Sequence, residues 1–339
     1  MGNETINLNI LKTRRKFIEK MCMVSAISVL PYGTVKTLAA PILKLNDVKK
    51  IRIGIIGAEN SHTRGFGKLF NIDKRFPGVE VKYVWGEKEE YAKDAMEKGG
   101  IPNMVQHPEE MLGKIDALIV DHRHGKFHLE AAIPFIKAGI PTFIDKPFCY
   151  RLEEGKKFLS LAKKVGTPVT SYSSIAHSYE TFDIMEQVKN MGEINQVVRY
   201  GPLKMESKYG GVFFYGAHLI QPLMYIFGDD IIKVRMNKNY KNNKNSSVSL
   251  VYENGMLATL ISTTKKYGWK TYVETEEGII ELKSSIEKKY PEKNDVDMVK
   301  MFQTGIEPRS HQSILRGVAV LEALEKSVIS EQWEKVIQF

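Results

Sequence analysis

Three short polar segments carry most of the residues with which this chain could do chemistry. A glycine turn followed by small polar residues is typical of a loop that offers hydrogen-bond donors to an anion. A lysine can stabilise negative charge that develops on a substrate oxygen. The segments begin at Gly57, Asp121 and Asp145 and include Glu59, Asn60, Ser61, His62, His122 and Lys146. Together they predict a pocket for a small polar ligand.

The elements around these segments predict a doubly wound α/β domain. Short apolar runs, typical of strands buried on both faces, alternate with stretches of helical periodicity. The predicted strands are Ile51–Ile56, Val79–Trp85, Ala117–Val120, Thr142–Ile144 and Pro168–Ser171, and the helices are Glu89–Lys98, Phe127–Ala138 and Leu152–Val165. Ligands of such sheets bind beyond the carboxyl ends of the strands, which is where all three polar segments fall.

The second half of the chain has a different pattern. Alternating strand-like segments with turn signals between them predict an open, mostly antiparallel sheet with one face covered. They are Gln196–Tyr200, Ser247–Tyr252, Met256–Thr264, Lys270–Thr275 and Ile279–Lys283, with helices at Tyr179–Met191 and Ser313–Val328 and a solvated loop at Met236–Asn245. We therefore place a first domain at residues 41–171 and a second α/β domain at 172–339.

The first forty residues resemble an export signal. Arg14 and Arg15 precede Phe17 and an apolar run, Met21–Leu30, that is too short to span a bilayer. Paired arginines at this place resemble the twin-arginine signal, which exports proteins already folded. We expect a periplasmic or otherwise exported protein without stable membrane insertion. The alternative is a basic amphipathic helix that is never cleaved.

Charge argues against a nucleic-acid partner. The 339 residues carry a formal net charge of +9, but the first forty contribute six basic and two acidic residues to it. The remaining excess is spread along the chain and forms no basic cluster.

The first polar segment is an incomplete dinucleotide turn. Such a turn has the pattern G-x-G-x-x-G, in which backbone amides approach a pyrophosphate. Gly57 is present, but Glu59 and His62 replace the second and third glycines. Glu87, just beyond the second strand, is the candidate for the acidic residue that binds a ribose, or is an ordinary surface glutamate. In and just after the second segment, His122, His124 and His128 with Asp121 suggest a metal, yet no fourth ligand follows from the spacing, and we expect none. We expect Asp121 or His122 instead to contact the cofactor or the substrate.

Three stretches, in this order, resemble the glucose–fructose oxidoreductase / inositol dehydrogenase (Gfo/Idh/MocA) family. They are Ile53–Gly57, Asp145-Lys146-Pro147, which matches an E-K-P motif, and Gly210–His218, which is similar to a second-domain motif ending in histidine. The resemblance implies a Rossmann domain followed by a substrate-binding α/β domain, a homo-oligomer, and NAD or NADP as cofactor. Where the family motif has aspartates, this chain has Phe214 and Gln221.

The resemblance also implies roles for two residues. Lys146 matches the lysine that contacts the reacting hydroxyl, and His218 matches the acid/base histidine; Tyr215, one turn before it, is a candidate substrate contact. These types suit hydride transfer at an alcohol carbon, since a neutral imidazole can take the hydroxyl proton. We expect an oxidoreductase acting on a carbohydrate-like molecule. The alternatives are a glycoside hydrolase that uses transient oxidation by bound NAD, and a non-catalytic binding protein.

Overall fold

The computed structural model describes residues 50–239, 246–263 and 268–339. The predicted leader and residues 240–245 of the predicted loop lie outside the described residues. None of the described helices combines the length and the apolar character needed to cross a bilayer.

The first sheet has six parallel strands in the order β3-β2-β1-β4-β5-β6. The strands are β1 (Ile51–Ile56), β2 (Val79–Trp85), β3 (Asn103–Met104), β4 (Ala117–Val120), β5 (Thr142–Ile144) and β6 (Val169–Thr170). The prediction of a doubly wound sheet is confirmed, because the strands are added outward from β1 in both directions, first β2 and β3 on one side and then β4, β5 and β6 on the other. Of the described strands in this sheet, only the two-residue β3 escaped prediction, since so short a strand has no periodicity.

Helices cover both faces of this sheet. They are α1 (Ser61–Gly67, continued by a π-helical turn at Lys68–Ile72), α2 (Glu89–Gly99), α3 (His128–Lys137) and α4 (Leu152–Val165). The predicted helix ends at Gly139 and Gly166 are confirmed by their φ angles of 76° and 73°, which residues with a side chain adopt at a cost.

The second sheet has seven strands in the order β12-β11-β7-β10-β9-β8-β13. They are β7 (Gln196–Gly201), β8 (Ile231–Asn237), β9 (Ser247–Tyr252), β10 (Leu257–Ser262), β11 (Lys270–Thr275), β12 (Gly278–Leu282) and β13 (Glu334–Lys335). Neighbours run antiparallel except β7 and β10, so the prediction of a mostly antiparallel sheet is confirmed. The predicted loop is wrong at its start, because Met236 lies in β8 with its side chain in the core.

The described residues contain four further α-helices: α5 (Tyr179–Val188), α6 (Phe213–Phe227), α7 (Lys293–Thr304) and α8 (His311–Ser330). Helix α7 was not predicted. Its apolar residues Met298, Met301 and Phe302 share a buried cluster with Ile53 and Ile55 of β1. The chain thus returns to the first sheet after the predicted boundary at residue 171. A second buried cluster contains residues of both sheets, among them Val120 of β4 and Leu250 of β9.

Candidate active site at the carboxyl edge of the first sheet

The turn after β1 is shaped by the end of β4. Gly57 has a φ of +105°, and a Cβ built on it would lie 2.5 Å from the backbone nitrogen of His122. A side chain there would therefore collide with protein backbone. Packing within the protein therefore requires a glycine at this position, whether or not a phosphate binds to the turn.

Glu87 is held against that same turn. Its Oε2 accepts hydrogen bonds from the backbone amides of Ala58 (2.9 Å) and Glu59 (3.0 Å). Amides at this place approach the pyrophosphate in a regular dinucleotide turn. A carboxylate of the chain itself therefore takes two donors, while Oε1 bonds to no other described group.

A buried hydrogen-bond chain lies beneath the turn. The hydroxyl of Thr63 lies 2.6 Å from the Gly57 carbonyl and 2.6 Å from Asp121 Oδ2. A hydroxyl has one proton, so it satisfies both contacts when it donates to the carbonyl and accepts a proton from Asp121. Burial and the nearby Asp145 carboxylate raise the pKa of Asp121 well above its ordinary value, in agreement with that count. Asp121 is fully buried and supports the turn from below.

Asp145 is the charged centre of the site. Its Oδ2 lies 3.1 Å from His62 Nδ1, 3.3 Å from Lys146 Nζ and 3.3 Å from Asn60 Nδ2. Burial opposes its ionisation, but the Lys146 ammonium and then His62 hold its pKa below the ordinary value. Its carboxylate in turn raises the pKa of His62. The three predicted residues His62, Asp145 and Lys146 are thus brought together.

The same region has ligand types for a metal. Single ligand atoms of His62, Asp121 and Asp145 lie within 4.8 Å of one another. The Asn60 amide and the Lys146 ammonium already donate to these carboxylates, which leaves a protein-internal network as the simpler reading. The histidines considered from sequence lie elsewhere: both ring nitrogens of His128 lie on carbonyls, those of His122 (2.7 Å) and Pro147 (2.9 Å).

The side chain of His122, at the end of β4, is buried inside the domain and does not lie on the protein surface. It is 6% exposed, packs against Trp85 at 5.8 Å, and its Nδ1 has no partner among the described residues. Burial, with a contribution from His128, lowers its pKa to about 3. The predicted contact between His122 and a cofactor therefore stays a prediction.

His218 enters from the second domain on α6. It is 8% exposed, and its Nδ1 lies 2.7 Å from the hydroxyl of Ser173. Burial, and next the positive charge of Lys146, lower its pKa to about 3. Gln221, one turn further on, accepts the backbone amide of Ser173 at 2.7 Å. Gln221, which stands where the family motif has an aspartate, therefore holds Ser173 in place, and Ser173 is the hydrogen-bond partner of His218.

Phe214 and Arg123 form the wall between the domains. The Phe214 ring lies 5.8 Å from Lys146 Nζ and 5.5 Å from Arg123 Cζ. Arg123 also stacks on Tyr209 at 4.5 Å, and the Tyr209 hydroxyl donates to Glu59 at 2.6 Å. Sequence reasoning missed Arg123 and Tyr209, although Arg123 stands inside the second polar segment. Tyr215 packs on His218 at 5.9 Å between ring centroids.

Three cavities adjoin these residues. One of about 550 Å³ lies over the β1–α1 turn and is lined by Ala58, Glu59, Asn60, Ser61, Arg64 and Arg123 among others. One of about 220 Å³ is lined by His62, Asp145, Tyr172 and Ser174 among others. The third, of about 450 Å³, lies in the second domain and shares Ser174 and Asn294 with the second.

Comparison with known proteins identifies the first domain. Residues 51–173 match the family model described as an oxidoreductase family with an NAD-binding Rossmann fold. The Rossmann domain belongs to the Gfo/Idh/MocA oxidoreductase family. The predicted family, enzyme class and cofactor class are thereby confirmed. No protein of curated function matches the sequence closely enough to count as a relative.

Solved structures agree with the fold of this chain. The myo-inositol dehydrogenase of Lactobacillus casei, solved with NAD(H) and myo-inositol, is 13% identical, with a TM-score of 0.71 over 86% of this chain and 98% of that one. The myo-inositol 2-dehydrogenase of Lactobacillus plantarum is 17% identical, with a TM-score of 0.71 over 85% of this chain and 100% of that one. GenD2 from gentamicin A biosynthesis, solved with NAD, is 13% identical, with a TM-score of 0.72 over 92% and 100%. At these identities the likeness concerns the fold.

The residues present fit NAD(P) with one departure from a regular Gfo/Idh/MocA turn. Arg64 and Arg123 line the cavity over the turn, together with Glu59, Glu90 and Asp94. Because Arg64 pairs with Asp94 at 3.3 Å, Arg123 is the guanidinium of this lining that can supply positive charge to a phosphate. Glu87 keeps one carboxylate oxygen for a ribose hydroxyl. The departure is that Glu87 already takes the amides of Ala58 and Glu59, so the side chains of the cavity would carry more of the phosphate binding.

Proposed function

We propose that this protein is an NAD(P)-dependent oxidoreductase that transfers hydride to or from a carbon of a sugar or polyol. The observation that carries the proposal is the arrangement of Lys146 and His218. One comes from the end of β5 and the other from α6, and the charge of Lys146 acts on the imidazole of His218. The L. casei structure with NAD(H) and myo-inositol supports a polyol as the class of substrate.

The chain's own residues account for the proton in this reaction. A bound NAD(P) would supply the hydride acceptor. The neutral His218 imidazole takes the hydroxyl proton, because its lowered pKa keeps it unprotonated at neutral pH. The Lys146 ammonium, held by Asp145 at 3.3 Å, hydrogen-bonds to the oxygen as negative charge develops there. Phe214 covers the ammonium and limits water around it.

Turnover on sugars and polyols tests this proposal. Lys146→Ala and His218→Ala should each lower kcat by roughly 10²–10⁴, the usual span for acid–base assistance, while the exposed Lys300→Ala serves as a matched control with unchanged kcat. Nucleotide released from denatured protein identifies the cofactor, and the His218 variant should retain it. Full turnover in either site variant would remove that residue from the mechanism.

We also propose that the protein is exported with its cofactor tightly bound. Free dinucleotide is scarce outside the cytoplasm, so an exported enzyme is served best by a cofactor that it loads before export and recycles between two substrates. The supporting feature is the pair Arg14 and Arg15 before Phe17. Replacing both arginines by lysine should retain the protein in the cytoplasm. Unchanged export of that double variant would contradict the twin-arginine route.

A homo-oligomer is the remaining part of the proposal. The face of the second sheet that carries Val198, Tyr200 and Tyr272 is partly exposed. Apolar side chains on a broad sheet face are typical of an interface between copies. Sedimentation analysis should give a mass above that of one chain, and Tyr200→Lys should reduce it. A wild-type mass of one chain would contradict the proposal.

A further inference from the structure

The cavity in the second domain contains a buried arginine. Arg199 lies on β7, is 6% exposed and lines the cavity of about 450 Å³. Its Nη1 donates to Thr271 Oγ1 at 2.7 Å. Its Nε is buried without a partner, and Nη2 bonds to no other group in the part of the chain that is described. Arg199 therefore keeps most of its five N–H donors unused.

Other buried arginines of this chain are satisfied differently. Arg316 donates to the carbonyls of Asp229, Ile231 and Ile337. Arg309 donates to the carbonyls of Ser171 and Ser313 and to the Ser313 hydroxyl. Both are ordinary structural arginines that hold backbone in place. Arg199 has no comparable set of acceptors, so the same explanation does not apply to it.

No carboxylate pairs with Arg199 within the described ranges. Burial lowers its pKa to about 10, which leaves the guanidinium charged at neutral pH. Of the undescribed residues, segments 240–245 and 264–267 contain no aspartate or glutamate, whereas residues 1–49 contain Glu4, Glu19 and Asp47. A buried charge with neither a counter-ion nor a full set of hydrogen bonds is costly to the folded protein. Such a cost is expected where a ligand brings the missing charge.

The remaining charges of the cavity favour a single anionic group. Lys288 pairs with Glu292 at 3.2 Å, so neither is left over. Glu180 also lines the cavity and can accept hydrogen bonds from hydroxyls. The Arg199 guanidinium matches a planar, singly charged carboxylate. A doubly charged phosphate needs more positive charge than this cavity offers, and the Glu180 carboxylate in the lining would repel it further.

An aromatic ring connects Arg199 with the proposed reaction centre. The Trp269 ring lies 5.6 Å from Arg199 Cζ, and its centroid is 6.0 Å from that of His218. The ring therefore adjoins both the guanidinium and the imidazole, and the Arg199 cavity shares Ser174 and Asn294 with the cavity lined by His62 and Asp145. The C–H face of a sugar or sugar acid packs well on such a ring.

We propose that the substrate is a sugar acid or polyol acid whose carboxylate binds Arg199, with its carbon chain on Trp269 and its hydroxyls near Glu180. That the bound acid is also the substrate rests on the proposed function, but binding of the acid at Arg199 does not depend on turnover. The guanidinium then selects the acid over the neutral sugar of the same carbon skeleton. Arg199 is a specificity residue, and it takes no part in proton transfer.

Matched ligand pairs test the inference on the full chain. Calorimetry at fixed salt compares D-gluconate with D-glucitol, and D-glucuronate with D-glucose. At least one acid should bind roughly 10- to 100-fold more tightly than its neutral partner, the range for a charge-assisted hydrogen-bond pair. Equal affinities within both pairs in the wild type, or no binding of either acid, overturn the inference. Tighter binding of glucose 6-phosphate than of either acid overturns the choice of carboxylate.

Two variants sharpen the result. Arg199→Gln should abolish the preference for the acid and leave the affinity for the neutral partner nearly unchanged, whereas Glu180→Gln should preserve the preference. Circular dichroism checks that each variant is folded; if Arg199→Gln does not fold, the wild-type comparison and Arg199→Lys, which keeps the charge but loses the fork, decide. A preference for acids without any reduction of NAD(P) leaves the inference standing and removes the proposed function. Turnover of neutral polyols without a preference for acids removes the inference and leaves the proposed function standing.

Discussion

Replacing His218 by glutamine should change how the stability of the protein depends on pH. The imidazole is 8% exposed, and burial and Lys146 lower its pKa to about 3. In the unfolded chain its pKa is about 6.5. The unfolded state therefore binds a proton at pH values where the folded state does not. The native protein must lose stability as the pH falls below 6.5, and this loss ends only near the folded pKa.

The size of the effect follows from these two pKa values. Between pH 7.5 and pH 5.0, the protonation of His218 in the unfolded state alone lowers the free energy of unfolding by about 2 kcal/mol. Other groups titrate in the same interval, and His62, with its raised pKa, acts in the opposite direction. Because those groups are present in the variant as well, their contributions cancel when the two proteins are compared.

Urea unfolding at the two pH values measures this difference. The wild type should lose about 2 kcal/mol more than His218→Gln between pH 7.5 and pH 5.0, whatever the variant costs at pH 7.5. The exposed Lys300→Ala serves as the control and should lose as much stability as the wild type. Equal losses in wild type and His218→Gln would refute the reasoning, because the imidazole would then be as basic in the folded protein as in the unfolded chain. The proposed base would in that case be largely protonated at slightly acidic pH.

Three further substitutions test the geometry of the site. Gly57→Ala should lower the free energy of unfolding by more than about 2 kcal/mol, since its Cβ would lie 2.5 Å from the His122 nitrogen at a φ of +105°. A loss below about 1 kcal/mol in urea titration would contradict that clash. Asp145→Asn should bring the pKa of His62 down toward its ordinary value, because the Asp145 carboxylate is the main cause of its elevation; NMR titration of the ring checks this, and an unmoved midpoint is the contrary result. Phe214→Asp places a carboxylate one helical turn before His218 and should raise the acidic limb of the oxidation pH–rate profile by about one unit. A profile that stays in place means that His218 is not the titrating base or does not sense position 214.

Much of the fold was readable from local pattern. The bounds of β1, β2, β4, β5, β9, β11 and α4 agree with the predicted ones, because these elements are apolar runs or amphipathic stretches with clear ends. Among the elements that escaped prediction, β3 and β13 are two residues long, α7 depends on distant partners, and β8 runs into the segment that was predicted as a loop. Helix α7 buries its apolar side against β1, some 240 residues earlier in the chain, and local periodicity carries no record of such a partner.

The sequence by itself determined which residues could take part in the chemistry. The rule that ligands bind at the carboxyl ends of parallel strands singled out the segments of His62, Asp121 and Asp145, and their side chains indeed lie within a few ångströms of one another. Motif resemblance singled out Lys146 and His218. These inferences depend on residue type and order along the chain, which the sequence contains in full.

Only the tertiary structure decided how those residues are divided among tasks. It places Asp121 beneath the turn, Glu87 on the turn amides, and Gln221 on the backbone of Ser173. It also shows that Arg199, an inconspicuous residue of an alternating strand, is buried beside Trp269 without a counter-ion among the described residues. Burial and the presence or absence of a charged partner arise from contacts between distant segments. They set the pKa and the hydrogen-bonding capacity of each group, and therefore what it can do.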